Sequence, residues 1–364
     1  MQNRVQAGAS AARALVRDGV RLRFLQGALK GSGRQVAMTF LGASQHADEC
    51  RDFFEAAPRV SLGGAIDPDV ALVAEPLPLP LPGALRYHPF LDAVLDIGPS
   101  VEAQIRAVRS KAHRRRLRRV FRSRDWKWSV GEQPEDLARF YDEVHKPYVQ
   151  ARFGQRARID PLPPLAARFG RGGRVLTVTH QGEPVCAAVL FDGKQALIYD
   201  RNGFRLDALA RPLLLAERTA ALELAVIQLA QELSAPAVDL GFCRALLNDG
   251  LFTHKRRLGC RFVPALGTGR YQLWVRPELR PEFFWGAPMV VGPCGEFEAH
   301  LGLVRGAAPM RKVLLRALLK NFALPSVQRA VVWTNATAAD PSRIAFEQAL
   351  HRALGSRPVE LRET

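Results

Sequence analysis

Between Val101 and Val130 the chain reads VEAQIRAVRSKAHRRRLRRVFRSRDWKWSV, with eleven Lys or Arg against two acids and a net charge of +9. Guanidinium groups at this density cannot all be buried, because a desolvated cation without a counter-charge is too costly. The chemistry open to them is the holding of anions, phosphates above all, through charge-assisted and bidentate hydrogen bonds. The bland reading is a solvated helix face. Other chemistries lack a foothold: the chain has no G-x-S-x-G elbow, no G-x-x-x-x-G-K-S/T loop and no H-E-x-x-H pair. Its five cysteines (Cys50, Cys186, Cys243, Cys260, Cys294) are scattered and odd in number. They point to a reduced protein, and no metal site is expected.

The basic block supplies more than half of the formal charge of +17 carried by 364 residues. A chain this basic calls for nucleic acid, an anionic membrane surface or anionic small molecules as partners. The N-terminal MQNRVQAGASAARALVRDGV has no apolar core of a secretion signal, and no stretch approaches 18 apolar residues. The expectation is a cytoplasmic protein; attachment to the inner face of the membrane is the second choice.

Hydrophobic periodicity indicates the elements that must position these groups. Residues 35–41 and 70–74 read as strands, with a helix at 44–55 between them, and EPLPLPLPG (75–83) as an extended connector. Ser100 can cap a helix whose apolar stripe is interrupted at His113-Arg114-Arg115-Arg116. A second helix begins near Pro134, with Pro147 set to kink or end it around Lys146. The clearest signal is three apolar runs, 174–180, 184–191 and 195–200, joined by Gln181-Gly182 and Asp192-Gly193. Short turns ending in Gly make these an antiparallel meander, followed by a long helix (211–233) and a buried-type strand (237–242). Strands at 271–276, 288–292, 297–304 and 329–334, and helices at 310–323 and 341–354, complete the chain.

This order, with the residues around it, resembles the Gcn5-related N-acyltransferase (GNAT) superfamily, in its CelD/BioF2-like and FemAB-like (peptidoglycan-bridge) branch. Three patterns carry the resemblance. They are Arg109-Ser110-Lys111-Ala112-His113-Arg114-Arg115-Arg116-Leu117-Arg118-Arg119; Phe140-Tyr141-Asp142-Glu143-Val144-His145-Lys146-Pro147-Tyr148 with Arg152-Phe153-Gly154; and Asp239-Leu240-Gly241 with Asn248-Asp249-Gly250-Leu251 and Lys255-Arg256-Arg257-Leu258-Gly259. The resemblance implies an α/β fold with a mixed, mostly antiparallel sheet flanked by helices. It divides the chain into an N-terminal α/β subdomain (1–84), a GNAT-like domain (85–276) and a C-terminal α/β part (277–364). That last part reads either as a degenerate second half of a tandem GNAT-like arrangement or as a plain α/β elaboration.

By the same resemblance the chain is an N-acyltransferase, moving an acyl group from an acyl-CoA donor to an amine, in cell-envelope or polysaccharide metabolism. The alternatives are an aminoacyl-tRNA-dependent transferase and a nucleic-acid-binding protein that has kept the fold. The donor lies where two strands splay after the meander, with backbone N–H groups of the third meander strand on the thioester carbonyl. Donor phosphates sit near Arg211 at a helix start, with Arg205, Ala210 and Lys255 beside them. The segment Asn202 to Arg211 departs from the usual Arg/Gln-x-x-Gly-x-Gly/Ala turn, which puts acetyl-CoA itself in question. Asp239 and His254 are the expected proton acceptors, with Asp200 a further candidate; Tyr199 and Tyr148 are placed to serve the leaving thiolate or bind substrate. An Asp at a strand end is also a common cap, a His in a basic segment a common solvated side chain, and a Tyr on an apolar face commonly core. Arg114, Arg115 and Arg118 are expected to bind an anionic substrate, tRNA or the anionic membrane surface through the helical stretch 101–124.

Overall fold

The computed structural model describes residues 20–30, 32–43, 53–54, 59–61, 68–75, 81–154, 157, 159–209, 212–265, 268–293, 296–304, 326–354 and 358–363. In chain order the strands and helices begin with β1 (Val20–Ala28), β2 (Gln35–Ala43), β3 (Arg59–Ser61), β4 (Val70–Ala74), β5 (Leu85–Tyr87) and β6 (Phe90–Asp96). Then come α1 (Val101–Ala107), α2 (Lys111–Arg122), β7 (Trp126–Gly131), α3 (Pro134–Arg139), a π-helical turn (Phe140–His145), α4 (Lys146–Phe153) and α5 (Leu162–Phe169). The meander follows as β8 (Gly173–His180), β9 (Glu183–Asp192) and β10 (Leu197–Phe204), then α6 (Leu206–Leu209), α7 (Pro212–Glu232), β11 (Ala237–Arg244) and α8 (Gly250–Leu258). The remainder is β12 (Arg261–Pro264), β13 (Tyr271–Val275), α9 (Arg280–Gly286), β14 (Met289–Val291), β15 (Phe297–Leu303), β16 (Val327–Thr334), α10 (Pro341–Leu354) and β17 (Val359–Glu363). The fold is mixed α/β, as expected. The helix expected at 310–323 lies outside the described residues, as does most of 44–55.

By contacts the chain forms two units: Asp92–Phe242 with His254–Phe262, and the rest. The first unit is built on a seven-stranded sheet in the order β12-β6-β11-β10-β9-β8-β7. Its meander arises as the sequence dictates. Gln181 and Gly182 both take positive φ, 54° and 87°, which turns the chain tightly enough for His180 to pair with Glu183. Val185 to Phe191 of β9 are all buried, because helices cover both faces of the sheet. On one face α3, the π-turn and α5 enclose Leu137, Phe140, Tyr141, Val144, Leu165, Phe169, Val175, Ala187, Val189 and Phe191. On the other lie α2 and the apolar α7, tied to the sheet by a 3.1 Å bond from Trp128 Nε1 to Gln228 Oε1.

The basic stretch is two helices and a strand, and the break comes earlier than the apolar stripe indicates. Ser100 caps α1, accepting from Ala103 N, and Ser110 caps α2, accepting from His113 N. The kink expected at Pro147 takes the form of the π-turn. Proline has no N–H to give the carbonyl four residues back, and the wider turn lets Lys146 N bond Tyr141 O instead. The strand expected to end at Asp200 runs on to Phe204, so Asn202-Gly203 is strand and not a phosphate turn. A Cβ on Gly203 would stand 2.8 Å from the carbonyl carbon and oxygen of Val144. Glycine is what lets β10 lie against the π-turn.

The other unit holds a six-stranded sheet, β3-β1-β2-β4-β13-β5, and a four-stranded one, β14-β15-β16-β17. Tyr271–Val275 pairs with β4 and β5. Residues 271–275 thus join the N-terminal sheet through long-range pairing that no local pattern announces. In the smaller sheet β15, β16 and β17 run parallel. His300 is fully buried there; its Nδ1 accepts from Trp333 Nε1 at 3.0 Å, so Nε2 carries the proton and donates to Glu298 Oε2 at 3.0 Å. Burial pushes the His300 pKa down. The Glu298 carboxyl sits at about 2, held there by His300 and Arg329 against the effect of burial. Both folded values lie below the unfolded ones, so the unfolded chain takes up protons first as the pH falls. The unfolding midpoint should therefore decline from about pH 6.5 downward and again below about 4.5. In Glu298→Gln the lower step should vanish in a thermal-denaturation series; its persistence would mean that other carboxylates set the acid limb.

Among the described residues no helix is long and apolar enough to cross a membrane.

Candidate functional site

Two strands of the seven-stranded sheet part company. β10 and β11 are parallel and in register only at Leu197–Val238 and Ile198–Asp239. Immediately beyond, β10 bulges against β9 at Asp200, between the pairs Tyr199–Leu190 and Arg201–Val189. Backbone groups past the divergence need other partners. On β11, Gly241 turns with φ 74°, and the buried Lys255 of α8 donates from Nζ to Gly241 O (2.8 Å) and Phe242 O (3.0 Å). On β10, Asn202 O accepts from His145 Nδ1 at 2.8 Å. Burial lowers the His145 pKa, with the Asn202 bond acting in the opposite sense; the ring is neutral near pH 7, and Nε2 is its acceptor nitrogen.

The two expected aspartates hold structure. Asp239 Oδ1 accepts from Gly241 N at 2.8 Å, fixing the turn in β11. Asp200 is clamped by Arg168 Nη1 at 2.5 Å and Arg201 Nε at 2.6 Å. Tyr199 accepts from Asn202 Nδ2 at 2.7 Å, and burial drives its pKa up. It can offer a hydrogen bond, yet it is a poor source of a proton for a thiolate. Tyr148 is buried edge-on to Phe204 and accepts from Arg152 Nη1 at 2.6 Å. Arg205 pairs with Asp207 at 3.1 Å. Ala210 and Arg211 lie outside the described residues. Arg115 and Arg118 are exposed, whereas Arg114 turns inward and donates to Val108 O at 2.5 Å.

Three helices of this unit bring together a cluster that includes the expected His254. Glu223 of α7 lies between His113 of α2, at 2.5 Å from Nε2 to Oε2, and His254 of α8, at 2.9 Å from Nε2 to Oε1. The second contact has ion-pair range without the alignment of a hydrogen bond. Burial tends to raise the Glu223 pKa, but the two imidazoles outweigh it and hold the carboxyl below the usual range. The rings touch the carboxylate directly, and among the described residues no group of three His, Cys, Asp or Glu is arranged to hold a metal. Glu223 is near enough to Tyr199 to raise that phenol's pKa further. Sequence reasoning passed over Glu223 and His145. A signal existed for the first: Glu223 is the sole charged residue from Thr219 to Leu229, and a lone acid in an apolar helix needs a partner.

No family model matches the chain, and no curated protein matches it. Among solved structures it is similar to FemX, at a TM-score of 0.39 and 10% identity, over 52% of this chain and 62% of that one. It is also similar to the C-terminal domain of a putative lysylphosphatidylglycerol synthetase from Agrobacterium fabrum (TM-score 0.37, 15% identity, 75% and 92% covered). A tandem GNAT protein from the clavulanic acid biosynthesis pathway is a third (TM-score 0.26, 12% identity, 66% and 79% covered).

Proposed function

We propose that this chain is an N-acyltransferase that takes its acyl group from a thioester donor of the acyl-CoA kind and passes it to an amine. The observation that carries the reading is the parting of β10 from β11 just past Ile198 and Asp239, with the Glu223 cluster beside it. A cleft of this form presents strand-edge N–H donors to a carbonyl, and β10 beyond Ile198 supplies them in this reading. The amine nitrogen attacks the thioester carbon, the C–S bond breaks, and the ammonium proton leaves through His254 to the departing thiolate. Glu223, in ion-pair range, stabilises the charged form of that imidazole. Tyr199 stays protonated and supplies a hydrogen bond. Arg218 lies 4.6 Å over the Phe204 ring, and among the described residues its Nε and Nη1 have no hydrogen-bond partner; in this reading it holds a donor phosphate.

Thermal unfolding with a panel of acyl-CoAs, free CoA and charged or uncharged tRNA tests this. A midpoint that rises with acyl-CoA and saturates at micromolar levels supports the reading and opens an acceptor screen by thiol release. A shift produced by charged tRNA alone would replace the donor with an aminoacyl-tRNA. No shift with any donor would remove the proposal. Aminoacyl transfer is the second reading, favoured by the exposed cations of α2.

A further inference from the structure

The structure separates the two faces of α2. Its inner face carries His113, Leu117 and Val120 towards α7, with Leu117 and Val120 buried. Its outer face is cationic: Lys111, Arg115, Arg116, Arg118, Arg119 and Arg122 are all exposed. Arg119 pairs with Glu217. Among the described residues the other five have neither an ion pair nor a side-chain hydrogen bond. Lys111, Arg115, Arg118 and Arg122 follow the spacing i, i+4, i+7, i+11, which sets them in one row about 16 Å long. A helix that inserts into lipid must turn its apolar side to the membrane, and the apolar side of α2 is occupied by α7. What remains free is a line of guanidinium forks suited to phosphates in series. Phe121, 36% exposed at the edge of the row, offers one face on which a base can stack.

We propose that the outer row of α2 binds the phosphodiester backbone of a nucleic-acid strand. This goes beyond the acyl-transfer reading and does not depend on it. The row engages about four successive phosphates, releases their counterions, and reads charge spacing in place of sequence.

The test is fluorescence anisotropy of a labelled single-stranded RNA of about 20 nucleotides, titrated at a series of salt concentrations, with duplex DNA as a second probe. Affinity should fall with salt with a log–log slope of about −3, and R115A/R118A/R122A should flatten it by about 2. A charge-matched control, R139A/R171A/K194A, removes three exposed cations elsewhere in the same unit and should leave the slope unchanged. All six side chains are exposed, and circular dichroism should show both variants folded. Equal flattening in the two variants would reduce the effect to net charge and overturn the assignment. So would the absence of binding, or sedimentation with phosphatidylglycerol vesicles without RNA binding. The acyl-CoA thermal shift is read on the unsubstituted protein and the salt slope on RNA, so failure here and failure of the acyl-transfer reading are told apart.

Discussion

Glu223→Gln should lower turnover by about 10²- to 10⁴-fold, the range over which a positioned proton acceptor acts, measured with whichever acyl-CoA stabilises the protein. The amide keeps the shape of the side chain and removes the charge that stabilises the imidazolium of His254. Glu223 acts through His254, so the two should not add: E223Q/H254Q should be no slower than H254Q alone. A cost that multiplies in the double variant would make Glu223 an independent group and break the proposed pair. Glu223→Gln should also stay folded and bind donor as well as the parent, because the carboxylate lies outside the strand edge that would hold the thioester. His145 is the competing proton acceptor. If H254Q retains turnover while H145Q loses it, the role passes to the other side of β10.

Lys255→Met should destabilise the unit by roughly 3 kcal/mol, since each hydrogen bond from a charged donor contributes about 1.5–3 kcal/mol and here two end on strand carbonyls. Lys255 is 5% exposed, and its Nζ holds Gly241 O and Phe242 O where β11 has left β10. Met fills much of the same volume, so the loss measures the bonds rather than a cavity. Denaturant unfolding gives the first readout. Donor affinity gives the second: a lysine that merely stabilises would leave the acyl-CoA affinity of the folded variant intact, whereas one that keeps the strands apart would weaken it at least tenfold. Unchanged stability would show that water satisfies these carbonyls without Lys255.

Much of the fold was written in local pattern. The meander with its Gln181-Gly182 turn, the Ser100 cap and helix α10 at 341–354 follow from hydrophobic period, turn chemistry and caps, which act over a few residues. The N-terminal strand β1 was equally legible in the alternation of VRLRFLQ and was overlooked. His254 could be named as a proton acceptor from sequence because histidine is the side chain that titrates near neutrality. Its partner could not, because Glu223 stands 31 positions earlier on another helix and His113 a further 110 earlier on a third. Sequence left Asp200 and Asp239 open between proton acceptor and strand-end cap, and only the folded chain shows Asp200 held by two arginines and Asp239 on the β11 turn.

The sequence by itself determined the mixed α/β class, the density of cations between 101 and 130, and the order of the meander, the long helix and the strand that follows it. Each depends on composition or on neighbours within one element. Tertiary structure decided which side of α2 remains free, where β10 leaves β11, and that Tyr271–Val275 completes the N-terminal sheet. Those outcomes depend on contacts between residues far apart in the chain, whose closeness is fixed by burial and register after the elements have formed.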